Sequence, residues 1–150
     1  MNSLYSFEFF PPKSNVSHLA LDTCLNDLAS WKPEFCSMTY GAGGSSQVES
    51  YSAIQRLQKL GHVPAAHITA AGASKAEVNI AAKAFIETGI DHLVALRGDG
   101  TNGQFIPHPQ GYVYGADLVA GLRQWFDGTI SVAGYPETHP EATSANADIA

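Results

Sequence analysis

Apolar positions along the chain follow two alternating rhythms, short β-rich runs and longer stretches of helical spacing, with no linker, low-complexity tract or charge block between them. The first run, Leu4 to Phe10, is aromatic-rich and stops at Pro11-Pro12, which cannot donate to a sheet ladder. Leu19, Leu21, Leu25 and Leu28 then supply most of the apolar stripe of a helix predicted from about Val16 to Ala29. A second strand is predicted over Phe35 to Tyr40, ended by the turn Gly41-Ala-Gly-Gly. Ser46 with Glu49 is a capping-box pattern for a helix running to about Leu60 and stopped at Gly61. A third strand, Ala65 to Thr69, precedes a second capping-box pattern, Ser74-Lys-Ala-Glu77, and a helix ending near Gly89. The fourth strand is His92 to Leu96, followed by a Gly- and Pro-rich loop and a helix from about Ala116 to Trp125. The fifth is Thr129 to Ala133, before a polar loop and a helix that has hardly begun at Ala150.

Strands joined through helices must run parallel, with right-handed crossovers. Glu8 to Thr39 is 31 residues, Thr39 to His67 is 28, and His67 to Arg97 is 30. A (β/α)8 barrel of about 250 residues spends about 31 on each unit. The regular period, with no visible topological switch, favours an α/β chain of this TIM-barrel type over a doubly wound sheet. Only about the first five βα units are present. Residues 1–150 are therefore expected to form the N-terminal part of a single barrel domain, with no second domain. The remaining ways to reconcile the count are completion of the sheet by association and an open α/β sheet.

Composition narrows the partners. The 150 residues are 45% hydrophobic, and no apolar run is long enough to cross a bilayer. Fourteen acidic and eight basic side chains give a net charge of −6, with no Lys/Arg cluster, so neither nucleic acid nor a membrane is an expected partner. Only 15% of residues are charged, below the roughly 25% usual for a globular domain, as expected of a surface meant for burial against other chain. Cys24 and Cys36 belong to no CxxC or Cys/His ligand spacing and read as reduced thiols of a cytoplasmic protein. The N-terminus lacks the basic and apolar regions of an export signal.

Chemistry-bearing residues gather just after each predicted strand, where α/β barrels build their sites: Glu8, Thr39-Tyr40, His67, Arg97-Gly-Asp99 and Tyr135-Pro-Glu-Thr-His139. Strand alternation puts Glu8 on the face opposite Tyr5, Phe7 and Phe9. A carboxyl buried near aromatic rings resists ionisation and can hold a proton for delivery at neutral pH. The structural alternative is a solvated glutamate, or one paired with Arg97. Gly41-Ala-Gly-Gly-Ser-Ser can offer backbone N–H groups to a phosphate, although it matches neither GxGxxG nor a P-loop. Tyr112, Tyr114 and Tyr135 can stack on a planar cofactor, whereas Trp125 and Phe126 read as packing. Glu8, His67, Asp99 and His139 would be the ligands of a metal-dependent, aldolase-like barrel, but no pair has a ligand spacing, and no metal is expected.

Five segments together are specific: Ser6-Phe-Glu-Phe-Phe-Pro-Pro12, Thr39-Tyr-Gly-Ala-Gly-Gly-Ser45, Ala66-His-Ile-Thr69, Ala95-Leu-Arg-Gly-Asp99 and Ser131-Val-Ala-Gly-Tyr-Pro-Glu-Thr-His-Pro-Glu-Ala142. In this order and spacing they resemble the methylenetetrahydrofolate reductase family, across essentially the whole chain. The resemblance implies a (β/α)8 barrel that binds FAD noncovalently. It implies reduction of 5,10-methylenetetrahydrofolate to 5-methyltetrahydrofolate with NADH or NADPH, in one-carbon metabolism and methionine synthesis, by a homo-oligomer. Glu8 would be the general acid, and Asp99 would stabilise the cationic substrate beside the flavin. Thr39 and Tyr40 would border the isoalloxazine and the nicotinamide. His67, Arg97, Gly98, Tyr114, Gly115, Tyr135, His139, Ala142 and Asp148 match cofactor-lining positions. No dinucleotide fingerprint distinguishes NADH from NADPH. Family members are nearly twice as long, which adds a second expectation: a truncated, non-catalytic flavin-binding half-barrel that needs a complementary chain, alone holding flavin weakly or not at all.

Overall fold

Five strands carry the alternation that a half-covered parallel sheet requires. In the computed structural model, which describes residues 4–40, 47–99, 105–135, 137–139 and 141–149, they are β1 (Ser6–Phe9), β2 (Phe35–Met38), β3 (Pro64–Thr69), β4 (His92–Leu96) and β5 (Thr129–Val132). Between and after them come α1 (Asn15–Leu28), α2 (Gln47–Lys59), α3 (Lys75–Glu87), α4 (Gly115–Leu122) and the short α5 (Ala145–Ile149). A turn of 3-10 helix, Ala29–Trp31, ends α1. The predicted element order is the observed one: β4 keeps its predicted bounds, β3 starts one residue earlier, β1, β2 and β5 are shorter by three, two and one residues, and α4 closes at Leu122 instead of Trp125.

The sheet is wholly parallel in the order β1-β2-β3-β4-β5, so each strand pairs with its neighbour in sequence. This is the winding of an α/β barrel wall, without the strand-order reversal of a doubly wound sheet. Register assigns the faces. Glu8 pairs with Ser37 and Ser37 with Ala65, while His67 pairs with Val94 and Val94 with Ser131. These positions share one face. Their neighbours Cys36, Met38, Ala66, Ile68, Leu93 and Ala95 point to the other and join Leu21 and Leu25 of α1, Ile54 and Leu57 of α2, Val78 and Phe85 of α3, and Leu118 and Leu122 of α4 in one core. All four long helices therefore cover the same side of the sheet, and the opposite face carries Glu8, Ser37, His67 and Ser131 with Ala65 and Val94 between them.

Local signals behave as their chemistry dictates. Ser74 caps α3, its Oγ accepting from the Glu77 N–H (3.3 Å) while the Ser74 N–H donates to Glu77 Oε2 (2.8 Å). Gly61 and Gly89 follow α2 and α3 with φ of 82° and 89°, the left-handed geometry that ends a helix. The proposed Ser46 cap and the 41–46 glycine loop lie outside the described residues. Two apolar positions depart from expectation. Leu19, assigned to the α1 stripe, is 68% exposed, because only Leu21 and Leu25 of that helix reach the core. Tyr112, offered as a stacking ring, is buried in the core instead. Trp125 and Phe126 pack as expected, with ring centroids 6.3 Å apart.

Exposed apolar side chains occur at both sheet edges, with Leu4 and Phe10 flanking β1, Val16 and Leu19 on α1, and Val132 on β5, and also away from them, as at Val48 on α2, Ile80 on α3 and Ile106 after β4. Both thiols are free: Cys24 is exposed, and burial pushes the Cys36 thiol up to about 11. His62 Nε2 lies 2.9 Å from the Leu25 carbonyl, which can only accept, so the ring carries its proton there and the Cys36 thiol donates to Nδ1 at 3.8 Å. Among the described residues no helix is long and apolar enough to cross a membrane.

Candidate active site

The polar face of the sheet brings Glu8 and His67 together from β1 and β3. Glu8 Oε2 lies 3.4 Å from His67 Nε2, close enough for ion pairing but outside hydrogen-bonding geometry. The two side chains differ sharply in exposure, 57% for Glu8 and 5% for His67. The burial expected of Glu8 is thus absent: Phe7 and Phe9 pack on the helical side, and the carboxyl stands open on the polar face. Burial holds the His67 imidazole below its usual pKa, only partly offset by the Glu8 charge, so at neutral pH the ring is uncharged. An open carboxyl beside a neutral, buried imidazole is a pair able to hold and pass one proton.

Thr39 follows β2 and is held at both backbone ends. Its N–H donates to the Phe9 carbonyl (3.0 Å), and its own carbonyl accepts from Ser50 Oγ (3.1 Å). Thr39 Oγ1 and His67 Nε2 are both buried without a hydrogen-bond partner among the described residues. Buried polar atoms seldom stay unmatched, so two on neighbouring strand ends mark a place for a ligand with polar edges. Tyr40 turns the other way, its ring 5.8 Å from Phe85 of α3 in an edge-on contact.

After β4 the chain turns through Gly98 at φ 81°, where a Cβ would come within 2.8 Å of Ala71 Cβ. A glycine is needed there for the ends of β3 and β4 to meet. Arg97 does not pair with Glu8. Its guanidinium grips Glu141 through two hydrogen bonds, of 2.5 and 3.1 Å, and lies 4.5 Å from the Phe105 ring centroid. The pair keeps the Glu141 carboxyl below its ordinary range. Glu141 is the site residue that sequence reasoning missed; its signal was an acid in the same polar loop as His139, with Arg97 seeking a partner. Tyr135 and His139 face each other at 4.8 Å, and His139 Nδ1 accepts from the Glu141 N–H. Asp99 and Tyr114 are exposed, with the Tyr114 N–H donating to Asp117 Oδ2 at the start of α4, where Gly115 is the first residue. Ala142 donates its N–H to the His139 carbonyl. Asp148 falls in α5, its side chain outside the described atoms. Among the described residues, no three His, Cys, Asp or Glu side chains gather as a metal site would require, so Asp99 and His139 do not join Glu8 and His67.

A singly wound parallel sheet with ionisable side chains at its C-terminal strand ends is the framework of the α/β-barrel enzymes. The chain belongs to the methylenetetrahydrofolate reductase family, whose sequence model matches residues 1–150. It is 41% identical over 145 residues to the 5,10-methylenetetrahydrofolate reductase of Salmonella typhimurium, covering 96% of this chain and 48% of that protein. The Pectobacterium carotovorum protein of the same name is 42% identical over 147 residues, covering 96% and 47% respectively. Methylenetetrahydrofolate reductase (NADH) 1 of Arabidopsis thaliana is 35% identical over 147 residues, covering 95% of this chain and 25% of that one. The chain thus spans about half the length of its bacterial relatives.

Proposed function

We propose that this chain forms the proton-handling and cofactor-lining half of a methylenetetrahydrofolate reductase, a cytoplasmic homo-oligomer in full-length form. The reading is carried by the Glu8–His67 pair on the polar face, beside the unmatched Thr39 hydroxyl, in a chain of that family. The same two unmatched atoms fit FAD, whose flavin edge offers both donors and acceptors. When bound, FAD would relay hydride from the nicotinamide to the folate. NADH is the favoured donor, in keeping with the Arabidopsis relative, a methylenetetrahydrofolate reductase (NADH).

Glu8 is the general acid. Its carboxyl proton goes to the bridging nitrogen of 5,10-methylenetetrahydrofolate, the ring C–N bond breaks toward that nitrogen, and an iminium cation remains on the substrate. Asp99 supplies negative charge that favours the cation. Thr39 and His67 anchor the edge of the cofactor. Arg97, Gly98, Tyr114, Gly115, Tyr135, His139, Ala142 and Asp148 would line it, with Tyr40 contributing only its backbone, because its ring packs against Phe85.

Glu8→Gln in a chain of the relatives' full length keeps the shape and removes the proton. Folate reduction should be abolished, while nicotinamide oxidation with an artificial acceptor stays largely intact. Equal loss of both half-reactions would make Glu8 structural and sink the assignment. The exposed apolar side chains at both sheet edges favour a second reading, a flavin-binding half-barrel without turnover unless a complementary chain covers them. Turnover restored by mixing with the remaining half of the barrel would decide for the reductase.

A further inference from the structure

The segment after β5 is organised as a relay of contacts. Tyr135 stacks edge-on against His139, whose Nδ1 accepts from the Glu141 N–H at 3.1 Å and whose carbonyl accepts from the Ala142 N–H at 2.9 Å. This local frame presents the Glu141 carboxylate to Arg97, 44 positions earlier, at the end of β4. The guanidinium answers with two N–H groups while its carbon lies 4.5 Å from the Phe105 ring centroid. One side chain therefore ties together three segments: the end of β4, the loop after it and the loop after β5. A bidentate guanidinium–carboxylate pair fixes orientation as well as distance, which a lysine ammonium cannot do.

We infer that Glu141 is a positioning residue acting through Arg97, holding the segment that carries Tyr135, His139 and Ala142 against the end of β4. This rests on the reading above that those three residues line FAD. Glu141 itself contacts no cofactor in this account.

The test uses a chain of the relatives' full length with Glu141→Gln, Arg97→Lys and the double variant. Thermal melting first checks that each folds. Hydrogen exchange at the Glu141 and Ala142 amides should become about tenfold faster in either single variant, with Leu93 and Ala95 in β4 unchanged. The affinity for FAD, followed by its visible spectrum, should weaken about tenfold in Glu141→Gln, and adding Glu141→Gln to Arg97→Lys should weaken it no further, because Glu141 acts through Arg97. A merely structural loop contact would move the exchange and leave FAD affinity alone. Unchanged exchange in both single variants would overturn the inference, as would tighter FAD binding by Glu141→Gln, which would mean that the carboxylate competes with the ligand for Arg97. If the unsubstituted protein takes up no FAD, the flavin reading fails, whereas FAD uptake that Glu141→Gln does not weaken overturns the positioning role alone.

Discussion

Gly98 sits where the ends of β3 and β4 converge, and its geometry leaves no room for a side chain. Besides the Ala71 contact, a Cβ there would meet Thr69 Cβ at 3.2 Å, and the positive φ adds backbone strain. Gly98→Ala should therefore destabilise the fold by about 2 kcal/mol, as overpacking and left-handed strain combine. Urea unfolding measures this directly; an unchanged midpoint would mean that the end of β4 relaxes freely. Single residues were also the hardest scale to read from sequence. The positions of Glu8, Thr39, His67 and Arg97 at strand ends followed from periodicity, but their partners did not. The sequence allows Glu8 to be solvated or paired with Arg97, and the structure pairs it with His67. Arg97 finds Glu141 through a loop with no repeat to reveal the contact. Local pattern reports which way a side chain leaves the backbone, and only the folded loops decide what it meets.

At the scale of elements the sequence was far more informative, because helices and parallel strands are built from local rules. Proline stops, capping boxes and terminal glycines mark the ends of most elements, and the structure returns them in the predicted order. Ser74 shows the energy involved: its hydroxyl and backbone close a reciprocal cap with Glu77 at the start of α3. Ser74→Ala should cost about 1 kcal/mol of stability, with Ser74→Asp retaining most of it. Chemical denaturation of the two variants side by side checks the point, and equal losses would show that the hydroxyl is not the capping group. The misreadings at this scale concern faces. Leu19 has the right spacing for the α1 stripe, yet it is exposed, since spacing cannot report which neighbours a helix will have. Tyr112 has the composition of a stacking platform but is consumed by the core.

The whole molecule has an acid-sensitive design. Burial holds the His67 and His92 pKa values below the ordinary histidine value, against the smaller raising effects of Glu8 and Asp91. With the folded pKa depressed, each imidazole contributes its full stability above the unfolded value and loses it as pH falls through the folded one. Stability should start to fall below about pH 6.5, the unfolded histidine value. A second loss should follow at lower pH as Asp22, Glu77 and Glu141, all held below their usual range, take up protons. Melting temperatures at pH 7.5, 6.0 and 5.0 trace the first limb. His92→Gln, which can keep a hydrogen bond to Ser131, should flatten it. A flat wild-type profile over that range would show that the two rings are not held neutral.

Placing every long helix on one side of the sheet has a consequence for how such a chain can change. Along β1 and β3, a core residue stands next to a site residue: Phe7 beside Glu8, Ala66 beside His67. The parts that keep the chain folded and the parts that choose its reaction are interleaved in sequence yet occupy opposite sides of one backbone. A substrate preference can therefore drift at the polar positions while the scaffold stands untouched, and a scaffold can be hardened for heat without retuning what it reacts with.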